Sequence, residues 1–348
     1  MQKRKRLFKG IIFIFLMYLF FLQPIPYYIE KPGSAVEISE MVEVDNQTDE
    51  NAGSYMLTTV QLFQATPFTY FSQYMPFYTG VSENQLLGNF EDYDSYRLLQ
   101  QYYMNHSANT AKAAAFNEAD MPYELEFNGV FVMSISEESD FYDTLQIGDS
   151  ITQIDGEVFE NTEEFILYIS EKNTGESVTL TVEREGETFQ ASGELMELEE
   201  TAQPGIGISL VTRSTVETSP EVSIFSGNIG GPSAGFMFAL QIYTLISEPD
   251  LRGDLEIAGT GTITEDGTVG RIGGVEKKVV AADDEGASIF FVPDDEADPL
   301  TMERVPDWQS NYEMALEAAE YIDTDMEIVP VKHLSDAISY LNELNDLN

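Results

Sequence analysis

One feature of this sequence that could do chemistry is a serine set among small residues, Ser233, in the segment GGPSAG at 230–235. Small residues let the backbone approach a bound substrate, and a proline stiffens the turn. An apolar run of helical length follows. A serine in the first turn of a helix lies beside free N–H groups, so those of Ser233 and Ala234 are candidate oxyanion donors. The alternative is that Ser233 is only a helix N-cap.

A nucleophilic serine needs a base, and the two histidines of the chain are poor candidates. His106 lies in a tyrosine-rich segment and His333 lies just before the terminal helical pattern. Neither is in a glycine-framed loop or beside a matching acid, so we interpret both as surface or capping residues and predict no Ser-His-Asp triad. The chain has no cysteine, which excludes thiolate nucleophiles, disulfides and cysteine-based metal sites.

Lysine can replace histidine as the base where its pKa is lowered towards neutrality. Lys277 and Lys278 are adjacent candidates. At helical spacing Lys278 shares an apolar stripe with Val275, Val279 and Ala282, whereas Lys277 falls on the other face. We therefore predict that Lys278 is the desolvated lysine, in a first helical turn where burial and the positive helix end both disfavour its ammonium form. The alternative is a structural lysine held in a salt bridge.

The composition excludes several other classes of function. The chain has 348 residues, enough for two modest domains, and 61 acidic against 17 basic residues give a net charge of −44. So acidic a surface repels phosphate backbones, and nucleic-acid binding is not predicted. No P-loop motif occurs in the sequence, so we expect no ATP site. We also predict no cofactor and no metal.

The N-terminal segment predicts attachment to the cell membrane. Residues 7–22 are apolar apart from Lys9, and a basic cluster precedes them. This pattern favours an uncleaved single-pass anchor within residues 1–30, with a cytoplasmic N-terminus and all later residues outside the cell. The alternative is a soluble secreted peptidase released after residue 22–26.

The middle of the chain contains two segments with different predicted structures. Residues 31–122 are interpreted as a linker and an N-terminal segment that packs on the last domain. Residues 123–203 contain short alternating strands and a short helix, and they resemble a PDZ domain. In that family an extended peptide adds as a strand beside a carboxylate-binding loop, here placed at Gly129, Val130, Phe131 and Val132. The alternative is a structural β-module that binds nothing.

Residues 204–348 predict an α/β domain that begins with a strand at 205–212. A further strand at 222–228 precedes the serine turn and is predicted to be an edge strand. Because an extended peptide can pair with such an edge, we expect it to align the substrate through Phe225, Ser226, Gly227 and Asn228.

Residues 204–348, with 56–64 as an upstream strand, resemble the protease domain of Lon. In Lon the nucleophile lies in a G-P-S-A-G turn and the base is a lysine that follows an I-G-G segment. The resemblance implies Ser233 as nucleophile, Lys278 as base and Thr260 as a residue that holds the lysine. Lon-like domains often form rings, so the resemblance is compatible with a homo-oligomer but leaves the oligomeric state open. One departure is visible, because Lon usually has an aspartate three residues before the serine and this chain has Gly230.

The whole layout resembles the membrane-anchored SepM-type proteases of Gram-positive bacteria, which trim secreted peptide pheromones or release membrane-bound substrates. We therefore expect a chain of α+β and α/β domains: an N-terminal transmembrane helix, a PDZ-like β-rich domain and a Lon-protease-like α/β domain. The expected function is that of a serine endopeptidase that cleaves peptides or proteins without ATP. The alternative is a non-catalytic scaffold whose PDZ-like region binds exposed peptide C-termini.

Overall fold

The computed structural model describes residues 2–88, 92–184, 186–198, 201–247, 251–297, 299–305 and 307–347. Its α-helices are α1 (Gln2–Phe21), α2 (Glu83–Leu87), α3 (Tyr93–Glu118), α4 (Thr162–Ser170), α5 (Gly235–Ser247), α6 (Val275–Asp284), α7 (Pro299–Arg304), α8 (Asn311–Ile322) and α9 (Leu334–Leu347). Short 3-10 helices span Thr69–Tyr74 and Pro232–Ala234.

Among the described residues the strands form two larger sheets, described below, and the two-stranded pairs β10-β9, β12-β2 and β14-β15. They are β1 (Tyr27–Glu37), β2 (Val42–Val44), β3 (Ser54–Gln64), β4 (Thr79–Ser82), β5 (Tyr123–Ile135), β6 (Ser150–Ile154), β7 (Ser177–Arg184), β8 (Glu187–Glu194), β9 (Met196–Glu197), β10 (Pro204–Gly205), β11 (Ile208–Thr218), β12 (Val222–Ile224), β13 (Glu256–Gly259), β14 (Thr262–Ile263), β15 (Val269–Gly270), β16 (Ile289–Pro293) and β17 (Glu327–Val331).

The larger sheet has the strand order β17-β16-β13-β3-β1-β4. Strands β3, β13, β16 and β17 run parallel, and β1 is antiparallel to β3 and to β4. Every residue of β16 is buried, as expected for a parallel strand that is covered on both faces. Strands β1 and β3 therefore share one sheet with strands that come after residue 255.

Helices cover both faces of this sheet. Successive side chains of a strand point to opposite faces, and in β16 Phe290 packs in the cluster that includes α6 and α8, whereas Phe291 packs in the cluster that includes α5 and α9. Helices α5 and α6 thus lie on opposite faces. In parallel α/β sheets, functional side chains gather at the carboxyl ends of the strands, and here β13 ends between these two helices.

The second sheet has the strand order β11-β5-β6-β7-β8 and packs with α4 around its own core, which contains Val130, Ile151, Phe165 and Leu180. The sequence placed a strand at 205–212 in the 204–348 domain. The structure instead pairs β11 along the full length of β5, from Ile208 opposite Ile135 to Thr218 opposite Tyr123. Since β11 is rich in β-branched residues and lies beside a strand of similar length, it completes this sheet.

Helix α3 lies between the two sheets. It packs against α5 and the 3-10 turn before α5 on one side and against β11 on the other. Its small buried residues, among them Ser107, Ala111, Ala114 and Ala115, allow the close approach to α5.

The N-terminal helix does not support the predicted membrane anchor. Among the described residues, no helix combines the length and the apolar character needed to cross a membrane. Helix α1 has 20 residues, but its first half carries the basic cluster and Lys9, so the charge-free part is confined to 10–21. A spanning helix needs about 20 mainly apolar residues. The prediction of a single-pass protein with a cytoplasmic N-terminus and an extracellular protease domain is therefore wrong.

Candidate active site

Ser233 occupies the 3-10 turn Pro232–Ala234, which runs directly into α5. Gly231, two residues earlier, has φ +91°, a conformation that favours glycine. The carbonyl of Ser233 accepts hydrogen bonds from the Gly261 N–H (3.0 Å) and the Thr260 hydroxyl (3.1 Å). Because α5 is buried over residues 235–242, the turn that carries Ser233 is fixed from both ends.

Lys278 reaches this turn from α6, on the opposite face of the sheet. Its Nζ donates a hydrogen bond of 2.6 Å to Ser233 Oγ and one of 2.9 Å to Thr260 Oγ1. Thr260 follows the last residue of β13 and is fully buried. The structure therefore brings together Ser233, Lys278 and Thr260, the three residues that the sequence singled out, at the carboxyl end of β13.

The electrostatics of Lys278 suit proton transfer. Its side chain is buried, and none of the ion pairs among the described residues involves it. Burial without a compensating carboxylate disfavours the ammonium form, and it lowers the pKa of Lys278 from 10.5 to about 7. A lysine with this pKa is neutral in a large fraction of molecules near neutral pH. It can therefore accept the proton of Ser233 Oγ across the same 2.6 Å contact.

Lys277 is also buried, which the helix spacing did not predict. Its relative exposure is 2%, against 3% for Lys278. Lys277 Nζ pairs with Glu276 at 2.5 Å and lies 3.8 Å from Glu30 of β1. Helix spacing assigns one face to the core, whereas here β1 covers the second face of α6. The two lysines are thus distinguished by their partners and not by burial.

Ser233 and Lys278 line a cavity of about 1230 Å³. Six consecutive residues of β3, 57–62, line it as well, and residues 228–231 form another part of its wall. Since the side chains of a strand alternate between its faces, lining by six successive residues means that the edge of β3 faces the cavity. Strand β13 pairs with β3 only at residues 54–57, so beyond residue 57 this edge has no strand partner among the described residues.

The predicted substrate strand at 222–228 is shorter than expected. Strand β12 ends at Ile224 and pairs with β2. The Phe225 N–H donates to the Met41 carbonyl, and the Ile229 N–H donates to the Ser226 carbonyl, so the chain turns across Gly227 and Asn228. Gly227 has φ +58°, which is incompatible with an extended strand. The prediction of a continuous edge strand here is wrong, although Asn228 lines the cavity.

The predicted carboxylate-binding loop at 129–132 lies inside strand β5. Residues 129–132 pair with residues 210–213 of β11 on one side, and Val130 and Phe131 pair with β6 on the other. A peptide strand needs an unpaired edge, so the predicted role of these four residues is wrong. The sequence missed this because the strand that fills the edge comes about 80 residues later in the chain.

Neither histidine contacts Ser233. The ring of His106 stacks on Tyr102, and His333 Nε2 contacts the Asp266 carbonyl. Within the described ranges, no group of three or more His, Asp or Glu side chains could hold a metal ion.

Two residues of α3 that the sequence did not single out contact the serine turn. The Gly231 N–H donates to the Gln100 carbonyl at 2.8 Å, and the Ser107 hydroxyl donates to the Pro232 carbonyl at 2.8 Å. These contacts join residues more than 120 positions apart, and no local motif marks them. The only signal is a stripe of small residues (Ser107, Ala111, Ala114) at helical spacing.

Comparison with protein families agrees with this geometry. Residues 219–339 match the Lon protease (S16) C-terminal proteolytic domain, and residues 97–195 match the PDZ domain. The chain thus has one region similar to the Lon protease (S16) C-terminal proteolytic domain and another similar to the PDZ domain. The predicted resemblance to both families is thereby confirmed. Strand β11 falls between the two matched ranges, and the PDZ match begins within α3.

Similar curated proteins are Lon proteases of low identity. The chain is 30% identical over 128 residues to the Lon protease of Metamycoplasma arthritidis (strain 158L3-1), covering 36% of this chain and 13% of that protein. It is 28% identical over 109 residues to the Lon protease of Aster yellows witches'-broom phytoplasma (strain AYWB), covering 31% and 12% respectively. The matched regions thus span about an eighth of the length of these relatives.

Similar solved structures are isolated PDZ domains. The PDZ domain of an SdrC-like protein from Listeria monocytogenes is 38% identical, covering 25% of this chain and 93% of that chain, with a TM-score of 0.25. The PDZ domain of an SdrC-like protein from Listeria innocua is 36% identical, covering 24% and 92%, with a TM-score of 0.23.

Proposed function

We propose that this chain is a serine endopeptidase in which Ser233 is the nucleophile and Lys278 is the general base. One observation carries the proposal: the Nζ of a buried lysine, whose pKa is lowered to about 7, lies 2.6 Å from Ser233 Oγ. A nucleophile and a base within hydrogen-bond reach, with a third group orienting the base, form the recurring arrangement of covalent catalysis. Thr260 is the orienting group, since its hydroxyl accepts from Lys278 and donates to the Ser233 carbonyl.

The first half of the proposed reaction acylates the serine. Neutral Lys278 takes the proton of Ser233 Oγ while Oγ forms a bond to the peptide carbonyl carbon. The backbone N–H groups of Ser233 and Ala234, in the first turn before α5, are proposed to hold the resulting oxyanion. The tetrahedral intermediate then breaks its C–N bond, and the Lys278 ammonium donates the proton to the leaving amine.

The second half releases the acid product. Lys278, again neutral, accepts a proton from water while the water oxygen attacks the acyl carbon. The C–Oγ bond breaks, the proton returns to Ser233 Oγ, and the dyad regains its starting state. A single lysine thus serves as base and acid in turn, which requires a pKa near the working pH.

The proposed substrates are short or flexible peptides in extended form. The edge of β3 beyond residue 57 faces the cavity that holds Ser233 and Lys278. Backbone N–H and C=O groups on such an edge pair with any extended peptide, so we assign substrate alignment to residues 58–62. The sequence has no P-loop motif, and the proposal therefore concerns chains that need no unfolding. The likeness to SepM-type proteases extends it to signalling peptides.

We propose that the PDZ domain recruits peptides through strand β11. Strand β11 is the outermost strand of its sheet and pairs with β5 on its inner side. Helix α4 begins close to it, with the Thr162 and Thr212 hydroxyls 2.7 Å apart. The Thr212 carbonyl already accepts from the Tyr102 hydroxyl. An extended peptide entering between α4 and the part of β11 before Thr212 would gain backbone hydrogen bonds from β11.

The test of the proposed function compares the wild type with Ser233→Ala. The wild type should cleave a flexible fluorogenic peptide and should be labelled by a fluorophosphonate, and Ser233→Ala should do neither while keeping the wild-type thermal unfolding. Ser170→Ala is the matched control, since Ser170 only donates to the Leu167 carbonyl within α4, and it should behave as the wild type. Cleavage that survives in Ser233→Ala would refute the assignment.

A further inference from the structure

Helix α3 has two opposite faces with different partners. Gln100 and Ser107 are seven residues apart and lie on one face of the helix. Tyr102 and Asn109 are also seven residues apart, and each lies two positions after a member of the first pair. Two positions along a helix correspond to a rotation of about 200°. The two pairs therefore point in nearly opposite directions, one towards the serine turn and one towards the PDZ sheet.

The first face supports the turn that carries Ser233. Gln100 accepts from the Gly231 N–H through its backbone carbonyl, and the Ser107 hydroxyl donates to the carbonyl of Pro232, the residue directly before Ser233. Ser107 is 4% exposed. A Cβ added to Gly235, which begins α5, would lie within 3.0 Å of Ser107 Oγ, so the contact is close and leaves no room for water.

At Gly230 the serine turn also lies very close to helix α3. A Cβ at Gly230 would lie 2.8 Å from the Cβ of Gln100, a separation that real Cβ atoms do not adopt. Helix α3 therefore packs directly against the serine turn at this position, three residues before Ser233.

The second face holds strand β11. The Tyr102 hydroxyl donates to the Thr212 carbonyl at 2.6 Å, and Asn109 Nδ2 donates to the Ser214 carbonyl at 3.1 Å. These acceptors lie on either side of the register shift between Arg213 and Ser214. The Tyr102 ring also stacks on Phe131 of β5, with 4.5 Å between the centroids. Burial raises the pKa of Tyr102 to about 12, so its hydroxyl remains a donor throughout the range of an activity assay.

We propose that α3 is a positioning element for the nucleophile: Ser107 and the Gln100 carbonyl hold the turn of Ser233, and Tyr102 and Asn109 make that position depend on strand β11 of the PDZ sheet. The positioning role rests on the proposed function of Ser233. Its physical basis is that a helix moves as a stiff body, so a displacement of β11 shifts α3 and with it the serine turn that contacts the opposite face of the helix.

The test measures how fast a fluorophosphonate labels Ser233. In this reaction Ser233 Oγ bonds to phosphorus, the P–F bond breaks, fluoride leaves and Lys278 takes the proton, so the rate reports the geometry of the nucleophile without a bound peptide. The variants are Ser107→Ala, Tyr102→Phe and, as matched control, Asn105→Ala at an exposed position of the same helix. Thermal unfolding of each variant is measured in parallel.

Ser107→Ala should lower the labelling rate about tenfold, the effect of one lost hydrogen bond on a barrier. For peptide cleavage kcat should fall while KM and the pH midpoint stay unchanged, because neither the peptide edge nor Lys278 is touched. A wild-type rate, or a shifted midpoint, would overturn the positioning role. Tyr102→Phe keeps the ring on Phe131 and removes only the hydroxyl, so it tests the coupling even where Ser107→Ala does not fold.

Tyr102→Phe should lower the labelling rate about two- to fivefold, with Asn105→Ala at the wild-type rate. Equal rates for these two variants would overturn the coupling to β11. The wild-type protein distinguishes failure of this proposal from failure of the proposed function. Absence of label on wild-type Ser233 would contradict the role of Ser233 as nucleophile. A labelled wild type with unaffected variants would contradict only the role of α3.

Discussion

Lys277 and Lys278 are adjacent, and both are at least 97% buried, yet only Lys277 has carboxylate partners. Lys277 Nζ lies 2.5 Å from Glu276 and 3.8 Å from Glu30. The polar partners of Lys278 Nζ are the hydroxyls of Ser233 and Thr260. A hydroxyl does not compensate the charge of an ammonium as a carboxylate does. The charge state of these neighbours therefore separates a structural lysine from a lysine able to act as a base.

The first prediction compares these two lysines. Lys278→Met should lower kcat for a flexible peptide about 100- to 10,000-fold, the usual contribution of a general base. Lys277→Met is the matched control, with the same change one position away and at equal burial, and its kcat should stay within a few fold of wild type. Steady-state kinetics on folded variants decide between them. Equal losses in the two variants would contradict the assignment of Lys278.

The second prediction concerns pH. Because only neutral Lys278 accepts a proton, kcat/KM should rise with pH through a midpoint near 7 and then level off. Free lysine titrates at 10.5, so unfolding takes up a proton between the two values, and the contribution of this group to the free energy of unfolding rises with pH in that window. A pH–rate profile measures the midpoint. A pH–rate profile that is flat across pH 7 would argue against Lys278 as the base. So would the same midpoint in the residual activity of Lys278→Met.

The third prediction concerns Thr260. Thr260→Val keeps the shape of the side chain but removes the hydroxyl that accepts from Lys278 and donates to the Ser233 carbonyl. We expect kcat to fall about 10- to 100-fold with little change in KM, since two hydrogen bonds that orient the dyad are lost. The matched control is Thr244→Val, a buried threonine of α5 whose hydroxyl donates to Leu240. An unchanged kcat in Thr260→Val would leave Thr260 without a role in the dyad.

The fourth prediction concerns the route of the substrate. A photo-crosslinking amino acid at Gln61, in the Ser233→Ala background, should capture a biotinylated flexible peptide, because residue 61 lines the cavity at the unpaired edge of β3. The same amino acid at Gln64 of β3 or at Phe225, neither of which lines the cavity, should not. Mass spectrometry of the adducts identifies the site. Capture at residue 225 and not at residue 61 would show that the substrate binds along the segment after β12 and not along β3.

The sequence singled out Ser233 and Lys278, which the structure brings into contact, because their signals are local. The GGPSAG turn needs only six residues, and the apolar stripe of Lys278 repeats within a single helix. The predictions that were wrong depend on distant segments. The strand at 222–228 ends early because its neighbours are β2 and Met41, and residues 129–132 are closed off by β11. The anchor prediction is wrong for a different reason, since Lys9 confines the charge-free part of α1 to residues 10–21.

The sequence by itself determined which chemical groups are present and which face of a helix each one shares with its near neighbours. Tertiary structure decided which groups meet. Glu30 comes from β1 to pair with Lys277, Gln100 and Ser107 come from α3 to hold the serine turn, and β3 leaves an edge open where β13 ends. The physical reason is range: helical periodicity is set within a few residues, whereas burial, ion pairing and strand closure depend on segments that lie tens to hundreds of residues away along the chain.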